Sequence, residues 1–267
     1  MATTEDAFAA IKEKQRESWS FFAPVELFTA PPAAHLVRVA RIGAGQRVLD
    51  VATGTGVVAL TAARLGAQVT GLDLTPALLE RARENAALAE LAIDWREGDV
   101  EALPFAEASF DVVVSQFGHM FAPRADVALA QMLRVLKPGG TLAFSTWPPE
   151  HFVGRFFALV ARYSPPPPPG MSAPVAWGEV AIVRQRLGDA VAAVRFDRGV
   201  MRSNTLSVQH LGRTLEETIG PLRALVRSGD AQTIARYRAE FRELAAEYFE
   251  ENCVRQDYLV TTATKRA

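Results

Sequence analysis

Three acids close apolar runs in the first hundred residues, and their spacing carries most of the chemical content of the sequence. In Val48-Leu49-Asp50-Val51-Ala52-Thr53-Gly54-Thr55-Gly56, an acid ends a short apolar run four residues ahead of Gly54. The two glycines let a backbone turn closely around a ligand as it enters a helix. Asp73 ends the next apolar run, 17 residues after Gly56, where a carboxylate can accept both hydroxyls of an adenosine ribose. Gly98-Asp99 follows the third run, where a carboxylate can accept from an adenine exocyclic amine.

Two cofactors compete for this constellation. Gly54-x-Gly56-x-x-Ala59 satisfies the loose dinucleotide fingerprint, and an acid about 20 residues on is what NAD binding expects. An NAD(P)-dependent oxidoreductase therefore stays open, although the Tyr-x-x-x-Lys of short-chain reductases is missing. Asp50 favours the other cofactor. A carboxylate in that loop repels a pyrophosphate and attracts the cationic amino group of a methionine moiety, as found in S-adenosyl-L-methionine (SAM).

Further along, Phe110-Asp111-Val112-Val113-Val114-Ser115 is followed at helical distance by Leu133-Arg134-Val135-Leu136-Lys137-Pro138-Gly139-Gly140. The ordered series from Asp50 to this turn resembles the class I SAM-dependent methyltransferases, in particular the subgroup around the ubiquinone/menaquinone-biosynthesis methyltransferases. The resemblance covers about residues 45–147 and is weak on either side. It implies that Asp50 and the loop Ala52, Thr53, Gly54, Thr55 and Gly56 face the methionine part of SAM, and that Asp73 holds the ribose. It further implies that Leu74 packs on adenine, Asp99 bonds its amine, Val100 flanks it, and Ser115 lines the methionine end. Trp19 matches the place where such enzymes close an aromatic over the cofactor, with core packing as the equal alternative. Ala52 departs from the family's usual glycine, and its methyl group is accommodated if φ is negative.

The elements that must position these residues alternate strand and helix. Strands are expected at 47–51, 68–72, 91–95, 110–114, 141–146, 191–196 and 258–264. Gly66 is placed to end the first helix in a left-handed conformation, Thr75-Pro76 to start the second, and 137–140 to stop a third. Further helices are expected at 152–163, 177–187, 208–226 and 231–250, with the proline run 165–169 as a stiff spacer. The fold class is α/β: a Rossmann-like, seven-stranded, mostly parallel sheet with helices on both faces and a helical cap. One methyltransferase domain spans 1–267, with core at about 33–149, 178–202 and 252–267, and cap at about 1–32, 150–177 and 203–251.

Composition narrows the partners. The 267 residues include 49% hydrophobic and 22% charged, with 29 basic against 30 acidic residues. That balance leaves no electrostatic footprint for nucleic acid. No apolar run approaches the ~18 residues of a membrane span, and no signal peptide is visible, so a cytoplasmic location is expected. Cys253 is the one cysteine, which excludes an intramolecular disulfide, and the four histidines lack metal-ligand spacing, so no metal is expected. His119, just past the fourth strand, is the first choice for a general base if the acceptor must lose a proton, and His151 the second; His35 and His210 are read as structural. The cap segments are rich in Phe, Leu, Tyr and Pro, which suits a small apolar or aromatic acceptor methylated on oxygen or carbon. The same residues could instead hold cap to core or form a homodimer face. A non-catalytic SAM-binding protein also stays open.

Overall fold

Val48, Leu49 and Val51 are almost fully buried, which requires cover on both faces of their strand. The computed structural model describes residues 4–267 and provides that cover. Its sheet contains β1 (Arg47–Val51), β2 (Gln68–Asp73), β3 (Asp94–Glu97), β4 (Phe110–Gln116), β5 (Leu136–Thr146), β6 (Val191–Asn204), β7 (Phe249–Glu250) and β8 (Cys253–Lys265). The order is β3-β2-β1-β4-β5-β8-β6, with the two-residue β7 pairing only to β8. The first five strands are parallel, and β8 runs antiparallel between β5 and β6. The Rossmann-like, mostly parallel sheet is thus present, with β7 as an eighth strand beyond the seven expected. β1 bonds to β2 on one side and β4 on the other, so strand order reverses between β1 and β4. The crevice outside their carboxyl ends is the place where such sheets bind ligands.

Helices α1 (Thr4–Trp19) and α2 (Glu26–Val39) precede the sheet. α3 (Val57–Ala63), α4 (Pro76–Leu88) and α5 (Ala125–Val135) connect its parallel strands. α6 (Phe152–Ala161), α7 (Val180–Leu187), α8 (Val208–Thr218), α9 (Gly220–Ser228) and α10 (Ala231–Ala246) follow. α2 packs on α3, β5 and β6, whereas α10 packs on α6 and α8. Among the described residues, no helix is long and apolar enough to cross a membrane.

Several expected boundaries move. The first three residues of the expected cap lie outside the described residues. Its boundary at 32/33 falls inside α2, which continues through Pro31 and Pro32. The boundary at 202/203 falls inside β6. Leu91, expected in β3, instead closes α4: its N–H bonds Ala86 O at 3.0 Å while Glu90 takes φ +55, a Schellman end. The 137–140 turn does end α5, but as a bulged start to β5, with Gly139 at φ +74 and pairing resumed at Val112↔Thr141. The single helix expected at 208–226 breaks into α8 and α9 at Ile219, which is extended, because Pro221 in the first turn of α9 offers no N–H to continue α8. Trp177 falls in the 3₁₀ turn Pro174–Gly178, ahead of α7.

Candidate functional site

β1 and β2 end on the two carboxylates that organise the glycine loop. Asp50 is 1% exposed. Its Oδ2 accepts from Thr53 Oγ1 at 2.5 Å and from Ala59 N at 3.1 Å. Its Oδ1 is buried without a partner among the described residues. Burial pushes the Asp50 carboxyl up to about 7, assisted by the charge of Asp73 and opposed by the Thr53 and Ala59 hydrogen bonds. Asp73 accepts from Gly54 N and Thr75 N, each at 2.8 Å, and burial raises it above the ordinary carboxylate range. The Thr75 hydroxyl and the Leu74 N–H also bond to it and oppose that rise.

The loop between them needs its glycines. Gly54 and Gly56 take φ +56 and +85, where an L side chain is strained. A Cβ on Gly56 would also stand 2.7 Å from the Trp95 ring, and one on Gly71 only 2.4 Å from it. Trp95 on β3, which the motif pattern did not single out, thus props the loop from below. The expectation of negative φ at Ala52 is overturned: Ala52 sits at φ +53. Its methyl group is accommodated because Gly118 faces it; a Cβ on Gly118 would lie 2.4 Å from Ala52 Cβ. Thr55 is buried, and its carbonyl accepts from Asn85 at 3.1 Å.

Beyond β2 and β3 a cleft of about 410 Å³ opens between α1 and the turn after β3, lined by Lys12, Arg16, Leu74 and Asp99 among others. Leu74 and Asp99 therefore share one cavity, while Val100 beside them packs against the core. Lys12 donates to Asp99 Oδ2 and Glu101 Oε2, both at 2.6 Å, and Asp99 Oδ1 accepts from Glu101 N at 2.8 Å. Glu101 also takes hydrogen bonds from Arg124 N and Nε at 2.6 and 2.7 Å. Arg16 pairs with Glu97. The spacing of motifs gave no sign of Lys12, Glu101 or Arg124, because these contacts join residues 23 to 89 positions apart.

Trp19, on the same helix, packs on Phe22 and Phe121 with centroids 5.5 and 4.8 Å away; the α1 side chain over the Asp99 carboxylate is Lys12. Ser115 is fully buried. Its hydroxyl donates to Val51 O at 2.7 Å and accepts from His119 N at 3.1 Å, joining β1 to the loop after β4. The Ser115 hydroxyl, expected to line the methionine end, is thus engaged by protein groups on both sides.

The expected base, His119, is 1% exposed. Its ring lies 4.7 Å from both Phe144 and Trp177, and neither nitrogen has a partner among the described residues. Burial, with the Arg186 charge second, lowers its pKa from 6.5 to about 3. The residue is a neutral core histidine, sealed in because the loop after β4 turns inward to meet Trp177. His151, at the start of α6, is more exposed and lies 3.8 Å from Glu150.

The site therefore offers one unpartnered buried carboxylate oxygen, a second buried carboxylate at the end of β2, and a cleft carrying an apolar side chain and a third acid. Those groups fit a nucleoside with a cationic tail, and among the described residues the charge acting on Asp50 is that of Asp73, which disfavours a pyrophosphate there. The family described as "Methyltransferase domain" matches residues 49–144. An uncharacterized protein of Mycobacterium tuberculosis (strain ATCC 25618 / H37Rv) is 38% identical over 240 residues, covering 89% of this chain and 88% of its own. The demethylmenaquinone methyltransferase of Deinococcus radiodurans is 43% identical over 120 residues, covering 44% of this chain and 49% of that protein. Among solved structures, the YcgJ protein of Bacillus subtilis superposes with a TM-score of 0.61 at 18% identity, covering 88% of this chain and 98% of that one. The chain belongs to the class I SAM-dependent methyltransferases, in the group similar to the ubiquinone/menaquinone-biosynthesis enzymes, and SAM is its cofactor.

Proposed function

We propose that the enzyme methylates an oxygen or carbon of a small, apolar or aromatic acceptor. The observation that carries this reading is a row of aromatic rings across the carboxyl end of the sheet. Phe117, just past β4, stacks on Trp147, just past β5, with centroids 3.9 Å apart and planes 10° from parallel. Tyr258 on β8 meets both edge-on, at 5.8 and 6.4 Å. Phe117 holds φ +59 to make this contact, backbone strain of the kind that gathers at working sites. The Deinococcus relative, named for demethylmenaquinone, supports an aromatic ring as acceptor.

In this reading Asp50 holds the SAM amino group, the 52–56 loop wraps the methionine part, and Asp73 takes the ribose. Leu74 and Val100 flank adenine, and Asp99 bonds its amine beside Lys12. Bound SAM supplies a methyl group already activated by its sulfonium. The chain's own task is then to hold the acceptor in line at ~3–3.5 Å and exclude water. His119 takes no role in this reading, because its ring is sealed against Phe144 and Trp177 and burial disfavours its charged form. Calorimetry with SAM, its demethylated product and NAD, followed by methyl-transfer assays on phenols, hydroquinones and amines, tests the reading. SAM binding with transfer to phenols or hydroquinones is expected; transfer to amines alone overturns the acceptor class.

A further inference from the structure

The aromatic row continues into a polar chain that reaches the surface. Tyr258 Oη lies 2.9 Å from His35 Nδ1, and His35 Nε2 lies 3.1 Å from Asp197 Oδ2. The three side chains come from β8, α2 and β6. Gly199, the register partner of Tyr258 on β6, makes the contact sterically feasible. A Cβ there would stand 2.2 Å from Tyr258 Cζ, so only glycine lets the phenol lie across the strand toward α2. Exposure rises along the chain: Tyr258 is 4% exposed, and the side chains of His35 and Asp197 are 15% and 56% exposed.

The relay uses the neutral ring of His35. An ionised carboxylate only accepts, so in that ring Nε2 carries the proton and Nδ1 accepts from the Tyr258 hydroxyl. Carboxylate, imidazole and hydroxyl in this connection are the parts that activate a hydroxyl in acyl transfer. Beside the row, Gln116 Oε1 and Ser145 Oγ are buried without partners among the described residues. These two residues are register partners on β4 and β5, and a hydroxylated acceptor would satisfy both.

We propose that Tyr258, His35 and Asp197 form a proton relay serving the acceptor side of the methyl-transfer site. Tyr258 meets the acceptor, His35 receives the proton, and Asp197 is a positioning residue that fixes the imidazole tautomer. The inference rests on the acceptor reading above. As the acceptor's O–H or C–H gives its proton to Tyr258 Oη, the proton already on Oη passes to His35 Nδ1. The acceptor gains a methyl group in place of that proton, and the positive charge lost at sulfur is matched by the imidazolium beside Asp197. Burial and the Asp197 charge hold the Tyr258 phenol above its ordinary value, so Tyr258 passes a proton through instead of resting as a phenolate. The His35 hydrogen bond first, then the Arg198 backbone N–H donated to Asp197 Oδ1 at 2.9 Å and the Arg38 charge, hold the Asp197 carboxyl below its ordinary range, so that it serves ionised as the relay's counter-charge.

The test is made on the full chain saturated with SAM. ¹⁵N NMR of histidine-labelled enzyme is expected to show His35 protonated at Nε2 and bare at Nδ1, with Tyr258→Phe shifting the Nδ1 resonance. With hydroquinone as the probe acceptor, Tyr258→Phe and His35→Gln should each lower kcat on the order of 10²-fold, with KM and SAM affinity nearly unchanged. Asp197→Asn should lower kcat and move the acid limb of the pH–rate profile, which a purely structural role would not do. An Nδ1-protonated His35, or full rates in both Tyr258→Phe and His35→Gln, overturns the relay. A wild-type enzyme that binds SAM but methylates no phenol or hydroquinone sinks the acceptor reading instead, and the tautomer still decides the relay.

Discussion

Ala52 and Asp50 sit two residues apart, and each is held in a state its residue type disfavours. Ala52 keeps a left-handed backbone at φ +53, which costs an L-residue about 1–2 kcal/mol. Ala52→Gly should therefore raise unfolding stability by about 1 kcal/mol after allowing for glycine's freer unfolded state, read as an increase in Tm. Asp50 is buried with one oxygen unpartnered and its carboxyl raised to about 7. Binding a cationic amino group requires the ionised form, so SAM affinity should fall by roughly tenfold per pH unit as pH drops below about 7. Asp50→Asn should weaken binding and flatten that dependence; calorimetry from pH 5.5 to 8.5 checks both. The place of Asp50 beside the loop was legible because an acid just before a glycine turn lies next to it in the chain. The backbone state of Ala52 was not, because φ is set by the contact with Gly118 across the crevice.

At the scale of elements, α1 is tied down at its site-facing side by Lys12 to Asp99 and Glu101, by Arg16 to Glu97, and by Gln15 to Phe121 O at 2.9 Å. Glu101 keeps Arg124 when Lys12 is removed, so Lys12→Ala should loosen the helix without unfolding the sheet. Loss of a charge-assisted contact of about 1.5 kcal/mol predicts roughly tenfold faster amide exchange in α1, with β1 and β4 unchanged. Hydrogen exchange by mass spectrometry reads this directly; equal acceleration in the sheet would contradict it. Helix starts and stops around the glycine loop were readable, since Gly66 at φ +82 and Pro76 after Thr75 act locally. β6 was read only to 196, although it continues to Asn204. Its Arg195, Asp197, Arg198 and Arg202 make an edge strand look like a loop, and only pairing along β8 extends it.

For the whole molecule, His119 links the core to pH. Its folded pKa is depressed from 6.5 to about 3, so the stability it contributes is present above about 6.5 and lost as pH falls toward 3. By linkage this amounts to about 3 kcal/mol between pH 7 and pH 4. Asp50 works in the opposite direction: its raised pKa means that ionisation burdens the fold above about 7 and is relieved on acidification. The His119 effect is therefore isolated by comparison with His119→Leu, whose stability relative to wild type should rise by about 3 kcal/mol over that range in denaturant titrations. The sequence by itself determined the parallel α/β order, the acids at the ends of β1 and β2, and the glycine loop, because each depends on residues within a few positions of one another. The tertiary structure decided which polar groups are engaged within the protein and which stay without a partner among the described residues. It sealed His119 behind Trp177, gave the Ser115 hydroxyl to β1, brought Lys12 to Asp99, and joined Tyr258, His35 and Asp197. Those outcomes follow from packing distant elements, where burial and the removal of solvent decide which donors and acceptors remain open.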